Sequence, residues 1–424
     1  MTRTERTYYV VSGLYTLAQF FIAPIYPLFL LSRGLDLLQM NAVLATYLTT
    51  VFVFEVPTGA VADRFGRKRS FLAACMVRMT AYALYAFARD FADCLVAEVI
   101  DAVGTTLASG ALEAWAVDGV RAEGDARPTD RLFARGQVVA RAFMIVGGVA
   151  CGYLAELGWR VPWLVCSALF VVTAAFAAVS MRETRARAVP RSLGRTALDG
   201  LAVVRAAPVL ILLCALTGIG AFASFPLHIL WQPRLEALGS KGLWRMGWIV
   251  ALLSLTALAG NAILPRLLRR FARETVLAAA ALWRGATVAV AATAVTAAPM
   301  VAGLVLQEIA FGLSDPVLLA WTNEHVAAAE RATVLSVRST FFTLGGASGL
   351  VILGLVARDL GIPTAWAIGA ALFALAAPLY LALGRLAPRM PAPEAGVEAT
   401  VAMPTKVAPP PVEPAYVAER GASS

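Results

Sequence analysis

Residues 59–69 read Gly59-Ala60-Val61-Ala62-Asp63-Arg64-Phe65-Gly66-Arg67-Lys68-Arg69, a short basic turn set between two apolar runs, 41–62 and 70–88. Each run has the roughly 20 residues a helix needs to cross the hydrocarbon core of a bilayer. Further apolar runs at 8–31, 93–118, 133–156, 160–181, 207–231, 246–265, 275–297, 299–324, 333–356 and 364–385 bring the expected spans to twelve. The composition agrees: of 424 residues 59% are hydrophobic and 15% charged, with a mean hydropathy of +0.73. A soluble domain carries about 25% charged residues to cover its surface. The expected class is an all-α integral membrane protein with 12 transmembrane helices.

The loops give the topology. With the N-terminus in the cytoplasm, inner segments hold 25 of the 36 Lys and Arg and outer loops hold 7. The positive-inside rule then predicts that both termini are cytoplasmic, in a bacterial plasma or inner membrane. The net charge of +9 is spread over these loop clusters, which argues against a nucleic-acid partner. Seven residues precede the first run, so it reads as an uncleaved first helix. The five cysteines, Cys75, Cys94, Cys151, Cys166 and Cys214, all lie in apolar runs and suggest no disulfide. With only His228 and His325 available, no metal centre is expected, and no cofactor. The tail 386–424 carries eight prolines from Pro388 to Pro414 and is expected to be disordered.

Two halves of the chain repeat at an offset of 206. Arg64-Phe65-x-Arg67 falls on Arg270-Phe271-x-Arg273, Arg78 on Arg284, Ala114-Trp115 on Ala320-Trp321, and Asp118 on Glu324. Pro27-Leu28 matches Pro226-Leu227 at a nearby offset. The expected organisation is an N-terminal six-helix bundle over 1–181, a cytoplasmic linker over 182–206 and a C-terminal six-helix bundle over 207–385. Tandem repeats of this kind place a binding site where the halves meet, near mid-membrane.

The stretch Gly59 to Arg69 resembles the loop signature of the major facilitator superfamily, in which Gly, Asp, Arg, Gly, Arg and a basic residue recur at this spacing. The resemblance covers 8–385 and implies two pseudo-symmetric bundles and a small-molecule transporter working by alternating access. It assigns Gly59, Asp63, Arg64, Gly66, Arg67 and Lys68 to a cytoplasmic gate motif. Asp63 and Arg67 are implied to lock with Asp118, stabilising the outward-facing state. In the second half Pro265, Arg269 and Ala272 stand where Gly59, Asp63 and Gly66 stand, so a second lock is not expected. The segment from Arg141 through Gly147, Gly148 and Gly152 lacks the Gly-Pro pair that resembles a hallmark of drug–proton antiporters.

Ten ionisable residues sit within the expected spans: Glu55, Arg78, Glu98, Asp101, Glu113, Arg141, Arg284, Glu308, Asp315 and Arg338. At roughly 2.5–3.5 kcal/mol each on an insertion scale they would cost about 30 kcal/mol unpaired. That exceeds the roughly 5–15 kcal/mol stability of an ordinary protein, so they must pair or face a wet cavity. Depth from the cytoplasmic helix ends suggests a buried network of Glu55, Arg78, Glu113 and Arg141. On one straight helix, Glu98, Asp101, Thr105, Ser109 and Glu113 share an arc of about 120°. The first half holds two more acids than arginines, and Asp101 and Glu98 are the candidate proton-coupling carboxyls. A solvated polar vestibule explains them equally well.

Candidate cavity residues are Tyr15, Gln19, His228, Trp231, Gln307, Glu308 and Asp315, a lining suited to an amphipathic organic solute. No nucleophile–base constellation and no phosphate-binding Gly-rich loop is present, which argues against an enzyme. The leading expectation is a monomeric, proton-coupled exporter of a small organic molecule. An importer with the same fold is the alternative, and a membrane-embedded enzyme or scaffold the third reading.

Overall fold

The computed structural model describes residues 1–124, 129–183, 208–325 and 328–386. The linker expected over 182–206 is described only at Arg182 and Glu183, and the tail beyond Leu386 lies outside the described residues. All regular structure among the described residues is helical. The helices are α1 (Arg3–Phe20), α2 (Tyr26–Ser32), α3 (Leu37–Phe65), α4 (Arg67–Phe87), α5 (Phe91–Ala108), α6 (Ala111–Ala122) and α7 (Asp130–Ala155). They continue with α8 (Arg160–Ser180), α9 (Pro208–Ala237), α10 (Trp244–Leu268), α11 (Arg273–Thr293), α12 (Ala297–His325), α13 (Ala328–Leu360) and α14 (Ile362–Leu386). Eleven stretches are long and apolar enough to cross a membrane. The α1–α2 pair makes the twelfth span.

Two expected spans are broken, each for a local reason. The run 8–31 divides at Phe21–Ile25, where Pro24 and Pro27 lie close together and Pro27 occupies the first turn of α2. Proline lacks the amide that would continue the ladder, so it favours a helix start. The run 93–118 divides at Ser109-Gly110, with Gly110 at φ +67, a conformation that side chains with a Cβ rarely adopt. The arc drawn from Glu98 to Glu113 on one straight helix therefore ends at Ala108, and Glu113 belongs to α6.

Polar side chains start three of the helices. Thr2 and Glu5 form a capping box on α1, Asp36 and Gln39 another on α3, and the Asp90 side chain caps α5. Gly66, at φ +99, is the whole turn between α3 and α4. The sequence motif is thus mostly helical: residues 59–65 end α3, and Arg67, Lys68 and Arg69 begin α4.

The first bundle packs α4 against α5 and α8, α3 against α5, and α1 against α7 and α8. The second packs α11 against α12 and α14, α9 against α13 and α14, and α10 against α12. The bundles meet through α3 with α13 and α7 with α10, and together form one compact unit over Met1–Ala387. In a bilayer the apolar effect does not hold helices together, so close approach of small residues carries the packing. A Cβ built on Gly247 of α10 would collide with the Gly148 carbonyl and lie 2.9 Å from Val149 Cα on α7.

That contact lies toward the face opposite the basic Arg64–Arg69 turn. The side-chain hydrogen bonds that join the bundles among the described residues lie there too. Gln232 Nε2 donates to Ala23 O at 3.3 Å and Trp248 Nε1 to Tyr153 OH at 3.2 Å. Glu156 Oε1 accepts from the amides of Leu243 at 2.5 Å and Trp244 at 3.3 Å. Toward the basic face, a run of exposed α3 residues extends from Phe52 to Pro57 and includes the five from Phe52 to Val56. Five residues cover more than one full turn. Among the described residues no helix fully covers α3 there, and the bundles part toward the basic face.

Candidate functional site

α4 and α5 are antiparallel neighbours. Arg78 stands nine residues from the end of α4 at Phe87, and Asp101 ten residues from the start of α5 at Phe91, which brings them to one depth. Arg78 Nε donates to Asp101 Oδ1 at 2.8 Å and Nη2 to Oδ2 at 3.1 Å. Nη1 donates to Tyr15 OH at 2.9 Å, and Nη2 also reaches Tyr82 OH at 3.3 Å. Tyr82 in turn donates to the Gln19 carbonyl at 3.2 Å. The Phe170 ring centroid lies 4.9 Å from the guanidinium carbon. Each guanidinium nitrogen has an acceptor, and Arg78 is 1% exposed. A planar guanidinium facing a carboxylate in this two-pronged way is the strong form of the ion pair.

Glu98 lies one turn nearer the opposite face. Its Oε2 accepts from Tyr26 OH at 2.9 Å and from Tyr85 OH, and those two hydroxyls are 2.8 Å apart. The Tyr85 ring stacks on Trp163 at 4.3 Å. No cation pairs with Glu98 among the described residues, and its Oε1 has no hydrogen-bond partner. The carboxyl borders a cavity of about 220 Å³ lined from the first bundle by Gln19, Tyr26, Tyr47, Tyr85, Asp101 and Trp163. Phe225 and Leu350 line it from the second bundle, so the cavity lies where the halves meet.

The second bundle holds the repeat of this arrangement. At the offset of 206, Arg78 and Asp101 become Arg284 and Gln307, both again 23 residues apart. Arg284 Nε donates to Gln307 Oε1 at 3.2 Å and Nη2 to Ser224 Oγ at 2.8 Å. Phe373 lies 3.9 Å from this guanidinium as Phe170 lies beside the first, and α8 and α14 supply them at an offset of 203. Glu308 Oε1 accepts from Gln307 Nε2 at 2.5 Å and meets His228 Nε2 at 2.9 Å.

Several expectations are corrected by this geometry. Arg78 pairs with Asp101 rather than with Glu55 and Glu113, which are exposed, while Arg141 is half-buried. Depth was measured from the cytoplasmic ends, but the broken span displaces Glu113 and the partner lies on the shared α4–α5 face. Asp101 is engaged by Arg78, which leaves Glu98 as the carboxyl without a cation. Of the named cavity residues, Gln19 lines this cavity and Tyr15 sits behind it as a partner of Arg78. His228, Gln307 and Glu308 form one cluster with Arg284. Trp231 is buried in the core at 3% exposure, and Asp315 is exposed. Tyr26, Tyr82, Tyr85 and Trp163 were missed. Arg78, Tyr82 and Tyr85 stand at i, i+4 and i+7, one helical face, and that spacing was the available signal.

At the basic face, Arg67 Nη1 meets Asp118 Oδ2 at 2.6 Å, both side chains partly exposed. The Asp63 side chain lies outside the described residues. Lys68 Nζ donates to the carbonyls of Ala178 and Met181, each at 2.6 Å, and Trp115 Nε1 to Arg182 O at 2.7 Å. The end of α8 is therefore clasped by α4 and α6. Thr4 N and Oγ1 donate to Glu123 Oε1 at 3.1 and 2.6 Å, pinning the start of α1. Burial pushes the Glu123 carboxyl up, but the hydrogen bonds from Thr4, Thr2 and Arg3 outweigh it and hold the group below its usual range. A carboxyl lowered on folding stabilises above its unfolded pKa and loses that contribution as pH falls through the lowered value.

Two repeated helical halves that meet at a cavity are the architecture of a membrane transporter of small molecules. The sequence matches the Major Facilitator Superfamily over residues 8–269 and 230–419, and the chain belongs to that family. It is 24% identical over 383 residues to YxaM of Bacillus subtilis (strain 168), an uncharacterized MFS-type transporter, covering 88% of this chain and 94% of that one. Among solved structures, it resembles the nucleoside transporter NupG with a TM-score of 0.77 at 14% identity, over 91% of this chain and 100% of that chain. A bacterial homolog of the human lysosomal transporter Spinster, inward-facing and occupied, matches with a TM-score of 0.73 at 14% identity, over 90% of this chain and 96% of that one. At these identities the likeness is one of fold.

Proposed function

We propose that this transporter moves a small organic solute by alternating access, coupled to protons through Glu98, with efflux as its working direction. The carrying observation is the lining of the cavity between the bundles: a carboxyl with no cation partner, set among tyrosine hydroxyls and a tryptophan. Buried charges inside a membrane are costly, and each other intramembrane group of this cluster has a partner. Glu98 is therefore the group free to bind and release a proton as access changes. Its aromatic and apolar surroundings suit an amphipathic solute entering from the basic face, where the bundles part. Asp101 acts in this reading as the fixed counter-charge of Arg78. Uptake into inverted vesicles against a solute panel, with and without an imposed pH gradient, tests the proposal. Accumulation that depends on an acidic interior supports efflux by exchange; accumulation only in right-side-out vesicles would establish import instead.

The basic asymmetry of the loops supports placing the basic face and both termini in the cytoplasm. Reporter fusions at residue 195 and at the C-terminus are expected to score cytoplasmic, and external signals from both would reverse the topology.

The Arg67–Asp118 contact joins two of the three residues that the motif implies for the gate, both within the first bundle. The pair is partly exposed, so its loss costs at most about 1 kcal/mol of stability. Arg67→Ala and Asp118→Asn are each expected to leave insertion intact and strongly reduce transport. The double variant should be no worse than either single one, because the two residues act as a unit. Asp63→Asn is expected to fall in the same class. Wild-type transport in all of these variants would remove the gate assignment.

A further inference from the structure

The two bundles treat their buried arginines differently, and the difference points to a ligand. In the first, a carboxylate and two tyrosine hydroxyls saturate Arg78. In the second, the position of the carboxylate holds an amide, Gln307, and the hydrogen-bond acceptors of Arg284 among the described residues are that amide and the Ser224 hydroxyl. Its Nη1 donates to no group among the described residues and is not one of the sealed, unpaired atoms of the core. Yet Arg284 is buried like its counterpart, at 6% exposure against 1%. Two carboxylates, Glu308 and Asp315, lie near enough to act on Arg284. Glu308 is engaged by Gln307 and by His228 through its Oε1, and among the described residues neither carboxylate makes an ion pair with Arg284.

A guanidinium held rigid by Phe373 on one face, with an open donor edge, is preorganised for a planar oxyanion. The hydroxyl partner of Arg284, Ser224, stands next to a cavity-lining residue of α9. Ser224, Phe225 and His228 follow one another on α9; Phe225 lines the cavity, and His228 keeps 34% of its side chain exposed. Residues three apart on a helix share a face.

We infer that Arg284 is the anchor for a carboxylate carried by the transported solute, bound at the Nη1 edge beside His228. The solute supplies from outside the acceptor that the first bundle builds in. Because Gln307 leaves Arg284 without a built-in carboxylate, Gln307→Asp would copy the first bundle's ion pair into the second and neutralise the charge that attracts the anion. This site rests on the transporter reading but not on proton coupling, and a binding assay without a gradient separates the two.

The test is the thermal stability of the purified full-length protein against aromatic and aliphatic monocarboxylates and their matched primary amides. One or more carboxylates should raise the Tm of the wild type, with no shift from the corresponding amide. The same acids should give a sharply reduced shift with Gln307→Asp; that variant also loses the Gln307 donor to Glu308, so its own Tm is read first. Arg284→Lys keeps the charge but loses the planar fork, and should also lose the carboxylate-induced shift; it decides the matter if Gln307→Asp fails to fold. Absence of any carboxylate-specific shift in the wild type, or an undiminished shift in a folded variant, would overturn the assignment.

Discussion

Asp101→Asn is expected to destabilise the protein by about 3–5 kcal/mol, the usual cost of removing one partner of a buried ion pair. The magnitude follows from what remains. Arg78, at 1% exposure, would keep its charge but lose its counter-charge and one of two acceptors, retaining an amide oxygen, the tyrosine hydroxyls and the Phe170 face. Thermal unfolding in detergent reads this directly. Removing the charge on both sides, with Arg78→Gln and Asp101→Asn together, should recover part of the loss, because the penalty belongs to the stranded cation. Wild-type stability in Asp101→Asn would mean the pair carries no structural load. Loss of activity in this variant is therefore to be read as a packing defect, not as lost proton coupling.

Glu98→Gln should behave in the opposite way. An amide oxygen can accept from Tyr26 and Tyr85 as the carboxyl does, so the fold and the tyrosine–tryptophan stack should persist. Only the ability to carry a proton is removed. Gradient-driven accumulation is expected to be abolished while solute exchange at equal pH survives, the separation that marks a coupling residue.

Much of this was legible in the sequence, because membrane crossing imposes a strong pattern. Span positions follow from runs of about 20 apolar residues, and the repeat at 206 already aligned Arg78 with Arg284. The same offset aligns Asp101 with Gln307, but an acid facing an amide looks like no match at all until the two arginines are seen to hold them. The breaks at Phe21–Ile25 and Ser109-Gly110 were not legible, since neighbouring helices allow Pro, Ser and Gly within spans. Missing the second break misplaced Glu113 and so the partner of Arg78. The tyrosines around Glu98 were passed over because aromatic residues in apolar runs are mostly packing; their hydroxyls acquire meaning only once Tyr26, from α2, is brought to 2.8 Å from Tyr85 on α4.

The most direct test of the account is solute-driven proton movement in proteoliposomes with a trapped pH-sensitive dye, comparing wild type with Glu98→Gln. At least one solute that stabilises both proteins should move protons with the wild type and none with Glu98→Gln, while labelled-solute exchange continues in both. Proton movement at the wild-type level in Glu98→Gln would contradict the assignment of coupling to this carboxyl.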